Sequence, residues 1–127
     1  MQIPREIEFG TDGLIPAVIQ DVEDGQVLMV GFMNRDALEK TLAEGKVCFW
    51  SRSRRKLWIK GETSGNLLLV EDVRVNCYAN SLLIRAKPMG PTCHEGYKSC
   101  YFRRINPHGE LETAAERLFD PKEVYSK

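Results

Sequence analysis

The run LIPAVIQDVEDGQVLMVGFM, residues 14–33, constrains the fold more than any other stretch. Two apolar runs rich in β-branched residues flank the dipeptide Asp24-Gly25, and both residues of such a pair tolerate the positive φ that a tight hairpin demands. The pattern predicts strands over 15–21 and 27–32 joined by a two-residue turn. Asn34 follows at once, with a side chain suited to accept a backbone N–H at a helix start. In RDALEKTLAEG, Ala37, Leu38, Thr41 and Leu42 recur at helical spacing, and Gly45 stands where a left-handed stop is expected. The spacing predicts a helix over 34–44.

From Lys46 onward the texture is strand and turn: VCFWS, the basic loop RSRRK, then LWIKGETSGN, LLLVEDVRVN and SLLIRAK. Helical periodicity returns only in LETAAERLF, residues 111–119, which predicts a short amphipathic helix. No repeat, low-complexity segment or linker divides the chain. The expected architecture is mainly β, a β-rich α+β fold with one clear helix.

At 127 residues and 43% hydrophobic content the chain is sized for a single core, and one domain over 1–127 is expected. Lysine plus arginine balances aspartate plus glutamate at 18 each, so no net field draws a polyanion or an anionic membrane. Neither nucleic acid nor membrane is an expected partner. No apolar run approaches the length of a membrane span, and MQIPREIEFG lacks the basic-then-apolar pattern of an export signal. A cytoplasmic location is expected, where Cys48, Cys77, Cys93 and Cys100 remain thiols and metal ligation or burial outranks disulfide formation.

Two stretches carry candidate chemistry. SRSRRKLWIKGETSGN, residues 51–66, combines hydroxyls, guanidiniums and glycines with Trp50 and Trp58 nearby. That is what a phosphate-bearing ligand with a flat ring requires: bidentate donors, close backbone approach and a stacking face. A solvated basic turn between strands has the same composition, although Glu62 and Ser64 in the Gly-Glu-Thr-Ser-Gly turn favour a binding loop. In GPTCHEGYKSC, residues 90–100, Cys93 and Cys100 are separated by six residues, with His94 beside the first. They are two soft ligands where zinc takes three or four. Cys77, Cys48, His94 and His108 are the other candidates, and two small buried cysteines would read the same way.

The series GLIPAVIQD, VLMVGFMN, ALEKTLAEGK, FWSRSRRKLWIKGETSGN and GPTCHEGYKSCYFR, in this order, resembles the phosphoribosyl-AMP cyclohydrolase family of histidine biosynthesis over about residues 9–103. The most specific pieces are the WSRSR…LWIKGETSGN block and the Cys-His…Ser-Cys pair; residues 104–127 form a tail outside the resemblance. The resemblance implies an intertwined homodimer of a two-sheet pseudobarrel or sandwich, with zinc held by Cys77, Cys93 and Cys100 drawn from both subunits. It implies hydrolytic opening of an adenine ring, with zinc-activated water attacking C6 and the C6–N1 bond breaking. His94 would then move the proton. Trp50, Ser51, Arg52, Ser53, Arg54, Lys60, Glu62 and Ser64 would bind the nucleotide, with Trp50 and Trp58 reading equally as core or stacking surface. Cys48, inside VCFWS, is left as a packed strand residue.

The chain departs from the family pattern at one place that matters. Where the family has Asp-Cys-Asp-x-Asp, holding magnesium, this sequence reads Asn76-Cys77-Tyr78-Ala79-Asn80. Magnesium favours anionic oxygens in octahedral array, so magnesium is doubtful here. Gly31, where the family more often has Ala, and Glu95, where Thr is usual, read as minor changes. The altered turn keeps two alternatives open: a related zinc hydrolase or deaminase acting on another nucleotide or purine-like ring, and a non-catalytic nucleotide-binding protein with structural zinc.

Overall fold

In the computed structural model, residues 3–118 are described. The hairpin is present as β1 (Ile15–Asp21) and β2 (Val27–Met33), antiparallel, with Val18 facing Val30. Its turn is longer than the two residues expected. The Asp21 N–H donates to the Gln26 carbonyl and the Gly25 N–H to the Asp21 carbonyl, so four residues, Val22–Gly25, lie inside the loop. Gly25 takes the left-handed conformation, φ 78°. The Asp21 and Asp24 carboxylates each cap a backbone N–H two residues on, and these local bonds favour the wider loop over a tight turn.

Helix α1 (Arg35–Glu44) starts where its cap predicts, the Asn34 Oδ1 accepting the Ala37 N–H at 2.8 Å. It stops at Gly45, φ 72°, whose N–H reaches the Thr41 carbonyl. Ala37, Leu38 and Thr41 face inward. Thr41 is a buried hydroxyl with full use: it donates to the Ala37 carbonyl at 2.8 Å and accepts the Cys48 N–H at 3.0 Å. That second bond ties the helix to β3 (Cys48–Ser51), which forms a hairpin with β4 (Lys56–Ile59).

Strands β5 (Leu68–Val75) and β6 (Leu82–Pro88) complete a four-stranded sheet in the order β2-β1-β6-β5. β6 lies parallel to β1, while the other pairs are antiparallel. Along β1 burial alternates strictly, with Ile15, Ala17, Ile19 and Asp21 turned to the core. Leu82, Ile84 and Ala86 on β6 join them, with Leu28, Met33, Leu38, Val47, Phe49 and Leu68. Each large apolar side chain so buried stabilises the fold by about 1.5–3 kcal/mol.

Two expectations need correction. Residues 111–118 are not helical: Leu111–Thr113 is strand β8, paired antiparallel with β7 (Arg103–Ile105). Cross-strand pairing, including Arg104 with Glu112, overrides the local helix preference there; Phe119 lies outside the described residues. The strands also form three sheets among the described residues rather than two, since β3–β4 and β7–β8 are separate ribbons. The expectation of a mainly β fold with one clear helix holds. Among the described residues no helix is long and apolar enough to cross a membrane.

Candidate active site

The β3–β4 hairpin divides the basic loop between two faces. Its turn is closed by the Arg55 N–H on the Ser51 carbonyl at 2.8 Å and the Arg54 N–H on the Ser51 Oγ at 3.2 Å. On one side Ser51, Arg54, Lys56 and Trp58 line a cleft of about 430 Å³ whose far wall is Lys60–Ser64 and His94. Trp58 packs inward against Phe49, ring centroids 5.7 Å apart. On the other side Arg52 lies over the Phe32 ring at 4.5 Å, and with Trp50 and Ser53 it borders a separate depression. The expected nucleotide-binding set is therefore split: Ser51, Arg54, Lys60, Glu62 and Ser64 share one cleft with His94, while Trp50, Arg52 and Ser53 do not line it. Lys56 and Thr63, which line the cleft, were missed; both sit inside the basic and Gly-bounded stretches that signal it.

Two glycines let the walls meet. Gly61, φ 86°, sits so close to Asn66 that a Cβ would stand 2.2 Å from its backbone oxygen. Gly90 lies against the same residue, where a Cβ would come within 2.2 Å of the Asn66 Oδ1. The GETSGN loop and the cysteine-bearing loop thus touch through Asn66, and His94 is delivered to the cleft.

The cysteine loop folds back on itself. The Thr92 N–H donates to the Lys98 carbonyl, and the Cys93 N–H to that of Tyr97, both at 3.0 Å. Tyr97 stacks on Phe102 at 3.8 Å between centroids. Cys93 is buried and Cys100 exposed; partial desolvation of its sulfur, then the proximity of Cys93, pushes the Cys100 thiol up to about 11. Lys60 is buried, and that burial lowers its pKa, with the two cysteine sulfurs as the charges pulling it back up.

Cys77 sits apart, exposed in the turn between β5 and β6. Among the described residues no three of His, Cys, Asp and Glu converge closely enough to hold a metal ion. Cys93 and Cys100 nevertheless fit a thiophilic metal as half of a donor set. Among the described residues the Thr92 Oγ1, next to Cys93, is buried with no hydrogen-bond partner, which leaves it free to bond a group held beside the cysteine. Cys48 is buried in β3. The 76–80 turn does not fit magnesium: Asn76 and Asn80 spend their amides on each other and on the turn backbone, and Tyr78 is 77% exposed with no carboxylate beside it in the turn.

The sequence model of the phosphoribosyl-AMP cyclohydrolase family matches residues 29–102. The chain is 47% identical to the phosphoribosyl-AMP cyclohydrolase of Chlorobium chlorochromatii (strain CaD3) over 126 residues, 99% of this chain and 92% of the relative. The chain belongs to the phosphoribosyl-AMP cyclohydrolase family. Two further cyclohydrolases are close. That of Pelotomaculum thermopropionicum (strain DSM 13744 / JCM 10971 / SI) is 47% identical over 95% of this chain and 94% of its own length. That of Chloroherpeton thalassium (strain ATCC 35110 / GB-78) is 46% identical over 95% and 87%. The cyclohydrolase match includes the β3–β4 hairpin, both walls of the cleft and the cysteine pair.

Proposed function

We propose that this chain is a zinc-dependent phosphoribosyl-AMP cyclohydrolase of histidine biosynthesis, cytoplasmic and active as a homodimer. The observation that carries the reading is the meeting of a paired thiol, Cys93 and Cys100, with a cleft that holds His94 and a cluster of cations. One domain spans 1–127, to which 104–127 are an appended tail. The tail's Ala114 N–H donates to the Phe102 carbonyl.

In this reading Arg54, Lys56, Ser51 and Ser64 take phosphate oxygens, and Trp58 offers its face to the adenine. Cys93, Cys100 and the partner subunit's Cys77 would hold the zinc, which would supply the Lewis acidity that makes water nucleophilic near neutral pH. The separation of Cys77 from the pair within one chain supports sharing between subunits. His94 takes a proton from the attacking water and returns one to N1 as the C6–N1 bond breaks; water oxygen ends on C6. Lys60 faces the thiols as well as the cleft, so it offsets thiolate charge in addition to binding substrate. Glu62 is the acidic member of the wall and accepts from ribose hydroxyls.

The test is ring opening of phosphoribosyl-AMP by the zinc-loaded protein, followed by the change in ultraviolet absorbance. His94→Ala should lose most of kcat, by roughly 10²–10⁴-fold as for loss of a general acid–base group, while keeping its zinc. A folded, zinc-loaded protein that leaves phosphoribosyl-AMP intact would overturn the substrate assignment. The altered 76–80 turn then favours the related reaction on another nucleotide or purine-like ring.

A further inference from the structure

Asp21 ends β1 on the core side and is only 3% exposed. A buried carboxylate is costly unless a cation and hydrogen bonds meet it. Its Oδ1 accepts the Glu23 N–H at 2.8 Å. The cation comes from far along the chain: the Lys98 Nζ sits 3.0 Å from the Asp21 Oδ2 and 2.5 Å from the Oδ2 of Asp24, which is exposed. Lys98 belongs to the loop that bears Cys93 and Cys100, and it does not line the cleft.

The two residues after Lys98 are fastened to the same hairpin. The Ser99 Oγ donates to the Val27 carbonyl at 2.7 Å, and the Cys100 N–H to the Leu28 carbonyl at 2.8 Å. The Lys98 carbonyl in turn accepts the Thr92 N–H, so Lys98 is joined to both arms of the loop. The Lys98 backbone is therefore linked to Cys100, two residues on, and to Cys93 through Thr92.

We propose that Asp21 is a positioning residue for the metal site: through Lys98 it sets the distance between the Cys93 and Cys100 thiols. This rests on the zinc reading above. Asp21 touches neither metal nor substrate, and acts by holding the loop.

The experiment strips the full-length protein with a chelator and titrates zinc back against a chromophoric competitor. Cobalt substitution reports thiolate coordination by its charge-transfer band. Asp21→Asn should weaken zinc by roughly 10–100-fold, the range for losing an outer partner of a metal ligand, and should shift or weaken the cobalt band. Lys98→Met should do the same, with Lys98→Arg restoring most of the affinity and Asp24→Asn changing it by less than Asp21→Asn. Should Asp21→Asn fail to fold, Lys98→Met, changed at a partly exposed side chain, decides. Lowered melting temperatures with zinc affinity and cobalt spectrum unchanged in both variants would overturn the proposal, leaving the pair as a fold contact alone. A wild-type protein that takes up no zinc would instead overturn the metal reading and this inference with it.

Discussion

Gly31 lies flat against the ring of Phe49: a Cβ at position 31 would stand 2.4 Å from the ring's Cε1. Phe49 is itself 1% exposed, so the ring has nowhere cheap to go. A change that reads as minor in the sequence is a packing requirement here. Gly31→Ala should cost about 1–3 kcal/mol, the usual range for overpacking a core. Phe49→Leu in the same chain should recover part of that cost, a coupling that denaturant midpoints of the four proteins would reveal. Simple additivity would mean that the two residues do not press on each other.

Arg52 and Arg54 should behave differently although only Ser53 separates them. Arg54 lines the cleft with His94, whereas Arg52 lies over Phe32 on the other face. Arg54→Ala should weaken a nucleotide 5′-phosphate by roughly 1–3 kcal/mol, with Arg52→Ala costing clearly less. Calorimetry distinguishes them, and the reverse order would place the phosphate on the Phe32 face.

The 76–80 turn should be indifferent to magnesium. The Asn76 side chain donates to the Asn80 Oδ1 at 2.7 Å, and its own Oδ1 accepts the backbone N–H groups of Asn80 and Ser81. Asn76→Ala should lower stability by about 1 kcal/mol, a typical net hydrogen-bond contribution. Magnesium should leave the melting temperature and the ring-opening rate of the wild type unchanged. Replacing Asn76, Tyr78 and Asn80 together by Asp should make the melting temperature rise with magnesium, because three carboxylates then crowd one turn. A wild type that needs magnesium for turnover would contradict this.

The Cys100 thiol, raised to about 11 by partial desolvation of its sulfur and by Cys93 although the residue is exposed, makes metal-free stability depend on pH. A raised pKa means that the folded state resists losing this proton. Its contribution is intact below the ordinary thiol value and is lost as pH climbs from there through about 11. Lys60 opposes the trend, since its pKa is lowered chiefly by burial and its penalty fades as pH rises toward the ordinary lysine value. The informative quantity is thus the difference between wild type and Cys100→Ser, which should turn against the wild type over that alkaline window. Melting temperatures of zinc-free protein across the range check it, and parallel curves would show that the thiol titrates as in water.

Local signals account for what was legible. The alternating apolar runs gave away β1 and β2, and Asn34 with Gly45 marked both ends of α1, because caps act within one turn of chain. The GETSGN stretch read as a binding loop from its own composition, whereas the Cys93–Cys100 spacing left ligation and burial open, and only the family resemblance implied a ligand set. What escaped depends on partners distant in sequence. β8 is a strand because β7 lies beside it, the wide β1–β2 loop follows from carboxylate bonds to its own backbone, and the parting of Arg52 from Arg54 follows from how the turn sits on β2 and on the GETSGN loop. Asp21 read as the end of a strand; only the folded chain brings Lys98 to it.

The parallel pairing of β1 with β6 sets the order in which this molecule can assemble. Ala17 must find Leu82, and the helix, the β3–β4 hairpin and β5 all lie in the chain between them. Closing so long a loop is slow compared with forming a hairpin or a helix turn. The cysteine loop follows β6 and docks on the start of β2, so it takes its final place only once β2 is there to receive it. A metal ion held by that loop should therefore slow unfolding more than it speeds folding.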